Sequence, residues 1–399
     1  MAKRYGLTVT ACSTGYVVQA LVNNFLPLLF VYFSTAYKIP VYLISTVIAY
    51  NFVLQILIDM LSSSFILKIG HRASCILSGT SACVGLVILA ITPFVVSGYI
   101  AIYVGIMIAV TFMAAGSGLS EVLLSPIIEA LPFENKSSMM SFLHSFYCLG
   151  HLVLVLLSTA FFVLFGVDKW YILALFFVLI PAIEVILFSV CPIIKPTGDE
   201  RVVKKLQLFK NKRFLLLFVL MISAGACEQA IAQWASYFAE SGLKVSKTMG
   251  DLLGASTFAL FMFLSRFLHG LSGKKFNVST LILICSVGLT ACYLLTVLQP
   301  NAVLSLIFIS LSGFFVGIVW PGVYSIGGDL FSSGGTTMFS MLALGGDVGC
   351  TLGPTLVGFI ASGTSMNMGI LIATIFPLLL LFGMLILKRT AKDELVKLR

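Results

Sequence analysis

Twelve long stretches of apolar residues, separated by short and more polar connections, run along the chain. Each is at least as long as the roughly 20 residues that an α-helix needs to cross about 30 Å of hydrocarbon. Apolar and polar residues do not alternate within them, as they would in the strands of a membrane barrel, so the pattern favours helices. The predicted spans, numbered 1 to 12, cover residues 7–35, 41–67, 73–95, 98–131, 138–166, 169–192, 213–240, 249–272, 278–298, 301–331, 336–362 and 364–387.

One connection is both long and polar, and it lies between spans 6 and 7. It covers residues 193–212 and leaves six spans on either side. We therefore predict an all-α polytopic membrane protein with a six-helix bundle in residues 1–192 and a second in residues 213–399, joined by this linker.

Composition places the chain in a lipid bilayer, and charge orients it there. Its residues are 59% hydrophobic and only 10% charged, whereas soluble domains are roughly 25% charged. The formal net charge of +9 would suit nucleic acid, but the basic residues form no groove, and we predict no nucleic-acid partner. Twenty of the 24 Lys and Arg residues lie on the side of both termini and the linker, which predicts that this side is cytoplasmic, in a plasma (inner) membrane. The other four are Lys38, Lys169, Lys244 and Lys247.

The two halves repeat each other at several positions. At an offset of 209 residues, the start of span 1 (KRY, residues 3–5) matches the start of span 7 (KRF, residues 212–214). Such repeats are typical of transporters that enclose a site at the bilayer midplane. The polar pairs matched at offsets of 200 to 209 residues are Gln19 with Glu228, Asn24 with Gln233, Asp59 with Arg266, and Glu129 with Asp329.

Two short motifs resemble the loop signature of the major facilitator superfamily. KIGHR follows span 2 at residues 68–72, and SRFLHG precedes two lysines at residues 265–270. In architecture the resemblance covers the whole chain: twelve spans, both ends inside and a basic central loop. It implies two pseudo-symmetric six-helix bundles that rock about a central site, in a monomer.

A narrower resemblance is to the fucose/glucose permease branch of that superfamily. GLSEVLLSP at residues 118–126 and MSFLHSFYCLG at residues 140–150 are similar to its span 4 and span 5. In that branch the span 4 glutamate is implicated in proton coupling or sugar binding, and Glu121 occupies the matching place. The branch has an aspartate in span 1, where this chain has Asn23 and Asn24.

Three acidic residues, Glu121, Glu228 and Asp347, lie deepest within the predicted spans. A charged side chain at the bilayer centre costs about 2.5–3.5 kcal/mol, so each is expected to face a cavity or a partner. Burial favours the neutral acid, which suits a group that takes up a proton on one side and releases it on the other. We predict proton coupling for all three, with Glu121 first. The alternative is a glutamic acid that stays protonated and bonds to a neighbouring helix.

Amide and aromatic side chains within the spans are candidates for binding a polar solute. In span 7, Gln229 and Gln233 share a helical face beside Trp234, so a sugar ring would lie on the indole while the amides bind its hydroxyls. Interior packing is the alternative for the histidines and for the aromatic pair of span 10. The predicted solute-binding residues are Gln19, Asn23, Asn24, Asn51, Gln55, His144, His151, Gln229, Gln233, Trp234, Trp320 and Tyr324.

Glycines and prolines predict close packing in spans 10 and 11. Asp347 lies in GGDVGCTLGP at residues 345–354, which suits tight helix packing as much as a site, and Gly313, Gly317 and Pro321 predict a bent span 10. The nine cysteines include no Cys-x-x-Cys pair and are predicted to be buried thiols. No metal or cofactor is predicted.

Charged residues near the cytoplasmic ends of the spans are predicted to act in gating. Because Asp59 and Arg266 take equivalent places in the two halves and carry opposite charges, we predict a lock between them. The full predicted set is Asp59, Arg72, Glu129, Arg266 and Asp329.

The sequence contains no nucleotide-binding loop, catalytic triad or metal cluster, which argues against an enzyme and against an ATP-driven pump. We predict a secondary active transporter that imports a sugar or similar small polar solute with a proton. An alternative is a proton-coupled antiporter that exports hydrophobic or amphipathic compounds. Sodium coupling stays open, because carboxylates and amides serve either ion. A receptor of the same fold is disfavoured, since the buried polar groups would be costly without a water-filled cavity.

Overall fold

The computed structural model of the chain describes residues 2–133, 136–194, 208–272, 277–331 and 335–397. Within these residues every regular element is a helix, and twelve helical segments are long and apolar enough to cross a membrane. Each corresponds to one predicted span, so the prediction of an all-α, multi-pass membrane protein is confirmed. Because the described chain passes through the bundle twelve times, its first and last described residues lie at one end, called here the terminal end, and the opposite end is called the distal end. The central part of the predicted linker, residues 195–207, lies outside the described residues.

Half of the spans are uninterrupted helices, and three of them continue through a proline, at Pro93, Pro126 and Pro354. They are Val41–Ile69 (span 2), His71–Val95 (span 3), Tyr99–Glu129 (span 4), Lys136–Phe165 (span 5), Val278–Leu298 (span 9) and Gly335–Gly363 (span 11).

The other spans are built from shorter pieces. Span 1 consists of Ala2–Asn24, the 3-10 turn Leu26–Leu29 and Phe30–Ala36, and span 6 of the 3-10 turn Val167–Lys169, Trp170–Phe177 and Leu179–Val190. Span 7 is Lys212–Ala232, continued by Ala235–Tyr237 and the π-helix Phe238–Gly242, and span 8 is Lys247–Gly250, the π-helix Asp251–Ser256 and Thr257–Ser272. Span 10 is Ala302–Gly317 and Val319–Leu330, and span 12 is Met366–Ala373 and Ile375–Lys397.

The first span of each half is interrupted at a matching depth. The first helix of span 1 ends at Asn24 and that of span 7 at Ala232, within one residue of the repeat offset of 209. In span 1 the cause is Pro27, which has no N–H to donate to the carbonyl oxygen of Asn23 four residues earlier. That oxygen instead accepts a hydrogen bond from Gln233 Nε2 of the other half at 3.1 Å. The break therefore creates a contact between the halves.

A second proline frees a carbonyl in span 10. Pro321 cannot donate to the oxygen of Gly317, and the helix is interrupted between Gly317 and Val319, so the predicted bend is confirmed. The freed Gly317 oxygen accepts a hydrogen bond from Arg266 Nε of span 8 at 2.8 Å. The bend thus positions the guanidinium of Arg266.

Glycines let spans 7 and 11 approach closely. A side chain added at Gly349 would overlap the carbonyl oxygen of Ile222, and one at Gly353 would meet the backbone of Ala226. Both obstacles are backbone atoms of a neighbouring helix, which cannot turn aside as a side chain can. The glycine-rich segment of span 11 is therefore a packing surface as well as the carrier of Asp347.

Replacing Gly349 by Ala is expected to destabilise the protein by about 1–3 kcal/mol, because the new methyl group forces the two backbones apart. A thermal unfolding scan in detergent measures this as a lower midpoint. Gly363→Ala is the matched control in the same span, since an added methyl group there meets no atom within 4 Å. Equal midpoints for the two variants would contradict the proposed overlap.

The two halves meet chiefly through two pairs of spans, 2 with 11 and 5 with 8. Span 11 comes close to span 2 because Gly358 leaves room for Ser45. Near the terminal end, Ser141 Oγ of span 5 lies 3.4 Å from His269 Nδ1 of span 8. Spans 1, 4, 7 and 10 lie between these contacts, and the candidate functional site is the space between these four spans.

Candidate substrate and proton site

A cavity of about 50 Å³ lies between the two halves, near the middle of the bundle. This is room for one or two water molecules, well below the roughly 300 Å³ at which ligand pockets begin. The free space in the site is thus small. Its lining residues are Tyr16, Gln19, Asn23, Phe52, Glu121, Ser125, His144, Tyr147, Glu228, Gln229, Arg266, Trp320, Tyr324, Asp347 and Cys350.

All three predicted proton-coupling residues, Glu121, Glu228 and Asp347, line this cavity. Glu121 is half-buried, and its Oε2 accepts a hydrogen bond from Gln19 Nε2 of span 1 at 2.8 Å. The other amide atom, Gln19 Oε1, is buried without a partner in the described part of the chain. One acid and one amide of the first half therefore present free polar atoms to the cavity.

His144 lies against a hydroxyl pair in the same half. The hydroxyls of Tyr16 and Ser125 are 2.8 Å apart, and His144 Nε2 is 3.3 Å from the first and 3.4 Å from the second. The rings of Tyr16 and His144 pack with their centroids 4.8 Å apart. This cluster lies beside Glu121, since Ser125 is one helical turn along span 4.

Tyr147 of span 5 joins the halves at the cavity wall. Its hydroxyl oxygen accepts from Asn24 Nδ2 of span 1 at 3.1 Å and from Gln229 Nε2 of span 7 at 3.4 Å. Gln229 Oε1 in turn accepts from Gln233 Nε2 at 2.9 Å. The amides that the repeat matches, Asn24 and Gln233, thus belong to one network across the interface.

Arg266 forms a buried ion pair with Glu228 within the second half. Its Nη2 donates to Glu228 Oε2 at 2.7 Å, and Nη1 reaches the carbonyl oxygen of His144 at 3.5 Å. The prediction placed Arg266 in a lock with Asp59 near the cytoplasmic end. The structure corrects this, because Arg266 lines the cavity and pairs with Glu228 of its own half. Asp59, at the equivalent position of the first half, instead faces Asp347 of the other half.

Asp59 of span 2 interacts with Asp347 of span 11, carboxyl to carboxyl. Both side chains are buried, with 0% and 1% of their surface exposed. At this place the two halves thus approach each other through two acids and not through opposite charges.

Several predicted solute-binding residues bond to other protein groups. Asn51 and Gln55 both donate to Asn23 Oδ1 at 3.3 Å, and Trp234 Nε1 donates to the carbonyl oxygen of Pro354 at 2.9 Å. Trp234 is fully buried and packs against Phe30 of span 1, with the ring centroids 5.8 Å apart, so its indole offers no surface for a sugar ring. His151 is also buried, and the cavity lining does not include it.

The remaining predicted gating residues lie away from the cavity. Arg72 donates to the carbonyl oxygens of Phe188, Ser189 and Cys191 at 2.7 to 2.8 Å, and so caps the end of span 6 within its own half. Glu129 is half-buried and Asp329 exposed at the terminal end. For Arg72 the structure thus shows a bond within one half where a gate between the halves was predicted.

The sequence interpretation missed Tyr16, Ser125, Tyr147 and Cys350. Each lies three or four residues from a predicted site residue on the same span, and such residues share one face of a helix. A search one helical turn along the span from each predicted site residue would have found them. Phe52 of span 2 was missed as well, and it carries the same signal, because it lies three residues from Gln55.

Lys247 ties the halves together at the distal end. Its Nζ donates to the carbonyl oxygen of Leu28 in span 1 at 2.7 Å, pairs with Asp251 at 3.0 Å and lies 5.5 Å from the ring centroid of Phe162 in span 5. Asp251 is held in turn by the hydroxyl of Ser236. One cation thus contacts two spans of the opposite half.

Replacing Lys247 by Met is expected to weaken the distal closure, because the hydrogen bond to Leu28 and the ion pair with Asp251 are lost. A charge-assisted hydrogen bond contributes about 1.5–3 kcal/mol, so maleimide labelling of Cys350 in the cavity should become about tenfold faster. Lys244→Met is the matched control, an exposed lysine in the same loop. Unchanged labelling in the Lys247 variant would contradict its role in closure.

Comparison with solved structures identifies the fold. The chain is similar to the E. coli fucose:proton symporter FucP (14% identity, TM-score 0.70, covering 96% of this chain and 98% of that one). It is also similar to the proton:xylose symporter XylE (13%, 0.73, 96% and 95%) and to the human organic anion transporter MFSD10 (14%, 0.70, 95% and 99%). No family model and no curated protein matches the sequence. The chain thus has the fold of the major facilitator superfamily, as the sequence motifs predict.

Proposed function

We propose that the chain is a secondary active transporter that imports a small polar solute of the sugar class together with a proton. The observation that carries this proposal is the cavity between the halves, which is lined by Gln19 and Glu121 of the first half and by Glu228, Gln229 and Trp320 of the second. Acid, amide and aromatic groups are together what a hydroxyl-bearing ring needs for binding. Two of the structurally similar proteins are named as a fucose:proton symporter and a proton:xylose symporter, and both solutes are sugars, which agrees with this class.

In the proposed cycle the halves rock about the cavity, and the structure is the arrangement in which the halves are in contact at the distal end. To admit a solute, the distal end parts at Lys247 and at the bond between Gln233 and Asn23. Glu121 takes up the proton, and the amide of Gln19 responds because it donates to that carboxyl group. Opening of the terminal end then separates Ser141 from His269 and releases solute and proton.

The orientation follows from charge. We propose that the terminal end is cytoplasmic, since basic residues concentrate at that end. We also propose that the protein works as a monomer in the plasma membrane. The transmembrane potential then drives the proton inward, and one charge moved through 100 mV is worth roughly 2.3 kcal/mol.

A second candidate is proton-coupled export of amphipathic compounds. Aromatic side chains favour it, because Tyr16, Phe52, Trp320 and Tyr324 all line the cavity and would pack against an apolar ligand.

Transport by the purified protein in proteoliposomes separates the two candidates. We expect a monosaccharide to accumulate inside when the outer buffer is acidic, and the uptake to stop when a protonophore removes the gradient. A thermal-shift screen of monosaccharides, nucleosides and amphipathic drugs selects the solute to test. Stabilisation by lipophilic cations alone would overturn the sugar class in favour of export.

A further inference from the structure

Carboxyl groups outnumber basic groups around the cavity. Glu121, Glu228 and Asp347 line it, and Asp59 of span 2 lies against Asp347 of span 11. Against these four acids, the lining holds one guanidinium, that of Arg266. The imidazole of His144 also lines the cavity, with its Nε2 turned to two hydroxyl groups.

The guanidinium is already bound by the protein. Arg266 donates through Nε to Gly317, through Nη2 to Glu228 and through Nη1 to His144, and only 3% of its surface is exposed. An anionic solute would have to displace Glu228 and leave that carboxylate buried without a partner, which is strongly unfavourable. Arg266 therefore cannot serve an anion at low cost.

Two buried polar atoms of the cavity lining, both oxygens, lack a hydrogen-bond partner. Gln19 Oε1 and Asp347 Oδ2 have no hydrogen-bond partner among the described residues, and their side chains are 95% and 99% buried. Buried polar atoms are almost always satisfied, by protein, water or ligand. The missing partner of Gln19 Oε1 must be a donor, such as a hydroxyl group of a polyol or an N–H group of an amine, and the same holds for Asp347 Oδ2 when that oxygen carries no proton.

We propose that the cavity selects solutes that donate hydrogen bonds and carry no negative charge, so that neutral polyols and amino sugars bind and carboxylates do not. The inference rests on the proposed transport function and narrows its substrate class. It separates this chain from transporters of organic anions, although one such protein shares its fold.

Cys350 makes the charge preference measurable without knowledge of the solute. It lines the cavity one helical turn from Asp347, and its thiol is free. The purified protein is treated with a trimethylammonium or a sulfonate methanethiosulfonate, and mass spectrometry of the Cys350 peptide gives each rate. Each rate is divided by that of the same reagent with free cysteine.

We expect the cationic reagent to react at least about tenfold faster than the anionic one after this correction. That is the effect of one uncompensated charge at about 10 Å with an effective dielectric constant of about 20. Asp347→Asn should reduce the ratio severalfold. Glu184→Gln should leave it unchanged, because Glu184 is a buried carboxyl group packed against Gly15 and Gly79, away from the cavity.

Equal corrected rates, or a faster anionic reagent, would overturn the inference. Labelling of Cys350 by neither reagent would instead contradict an opening cavity, and with it the transport function on which the inference rests. A matched set of glucose, glucosamine and glucuronate in a thermal-shift assay supplies the solute arm. Stabilisation by glucuronate would overturn the charge preference, whereas no response to any of the three would contradict the sugar class of the proposed function.

Discussion

Glu121→Gln is expected to abolish proton-driven accumulation of the solute while exchange of labelled for unlabelled solute continues. Glutamine keeps the shape of the side chain and an oxygen that can accept from Gln19, whose Nε2 now donates to the carboxyl group at 2.8 Å. It cannot take up or release a proton. The inside-to-outside ratio should therefore fall from about fifty-fold, the value that one charge across about 100 mV supports, to one.

Proteoliposomes with an imposed pH gradient and potential measure the ratio, and counterflow in the same vesicles measures exchange. Glu184→Gln is the control, since it removes a buried carboxyl group of the same half that does not line the cavity. Continued uphill uptake by the Glu121 variant would show that the proton binds elsewhere. Loss of both activities would point to a role of Glu121 in solute binding.

Arg266→Met is expected to destabilise the protein by about 3–5 kcal/mol. The substitution leaves Glu228 in the cavity without its partner at 2.7 Å, and removes the donor to the Gly317 oxygen that Pro321 leaves free. Replacing both members of the pair, Arg266→Met with Glu228→Leu, should recover much of the loss, because no unpaired charge remains.

Thermal unfolding in detergent compares the single variant, the double variant and Lys169→Met, which removes an exposed lysine and should leave the midpoint unchanged. A double variant as unstable as the single one would mean that Arg266 acts through Gly317 and not through Glu228. Transport by the double variant then shows whether the pair is needed for function beyond stability.

The spans could be predicted from the sequence because a helix that crosses a bilayer must be long and apolar, and residue type alone shows where such helices lie. Their interruptions were only partly predictable. Pro321 predicts the bend of span 10. The break of span 7 after Ala232 has no proline beside it, and only comparison with span 1 predicts it.

Within the site, the depth of an acidic residue in its span predicted that it lines the cavity, but the sequence did not predict which groups pair with one another. Glu121, Glu228 and Asp347 were found because buried acids are rare, whereas their partners depend on how helices rotate about their axes. The repeat places Asp59 and Arg266 at equivalent positions, yet a two-fold relation between halves does not make equivalent residues touch. Asp59 instead interacts with Asp347, and Arg266 pairs with Glu228.

Pro27 gives the span 1 backbone a carbonyl that can change partners. In the closed arrangement the Asn23 oxygen accepts from Gln233 of the opposite half, and when the halves part at this end, water can take the place of that amide. Exchanging one hydrogen bond for another changes the free energy by only about 0.5–1.5 kcal/mol. A complete helix would have satisfied this oxygen permanently and left Gln233 to be desolvated at every closure. The proline thus keeps the contribution of this one contact to the free-energy difference between the two arrangements small, as the proposed transport cycle requires.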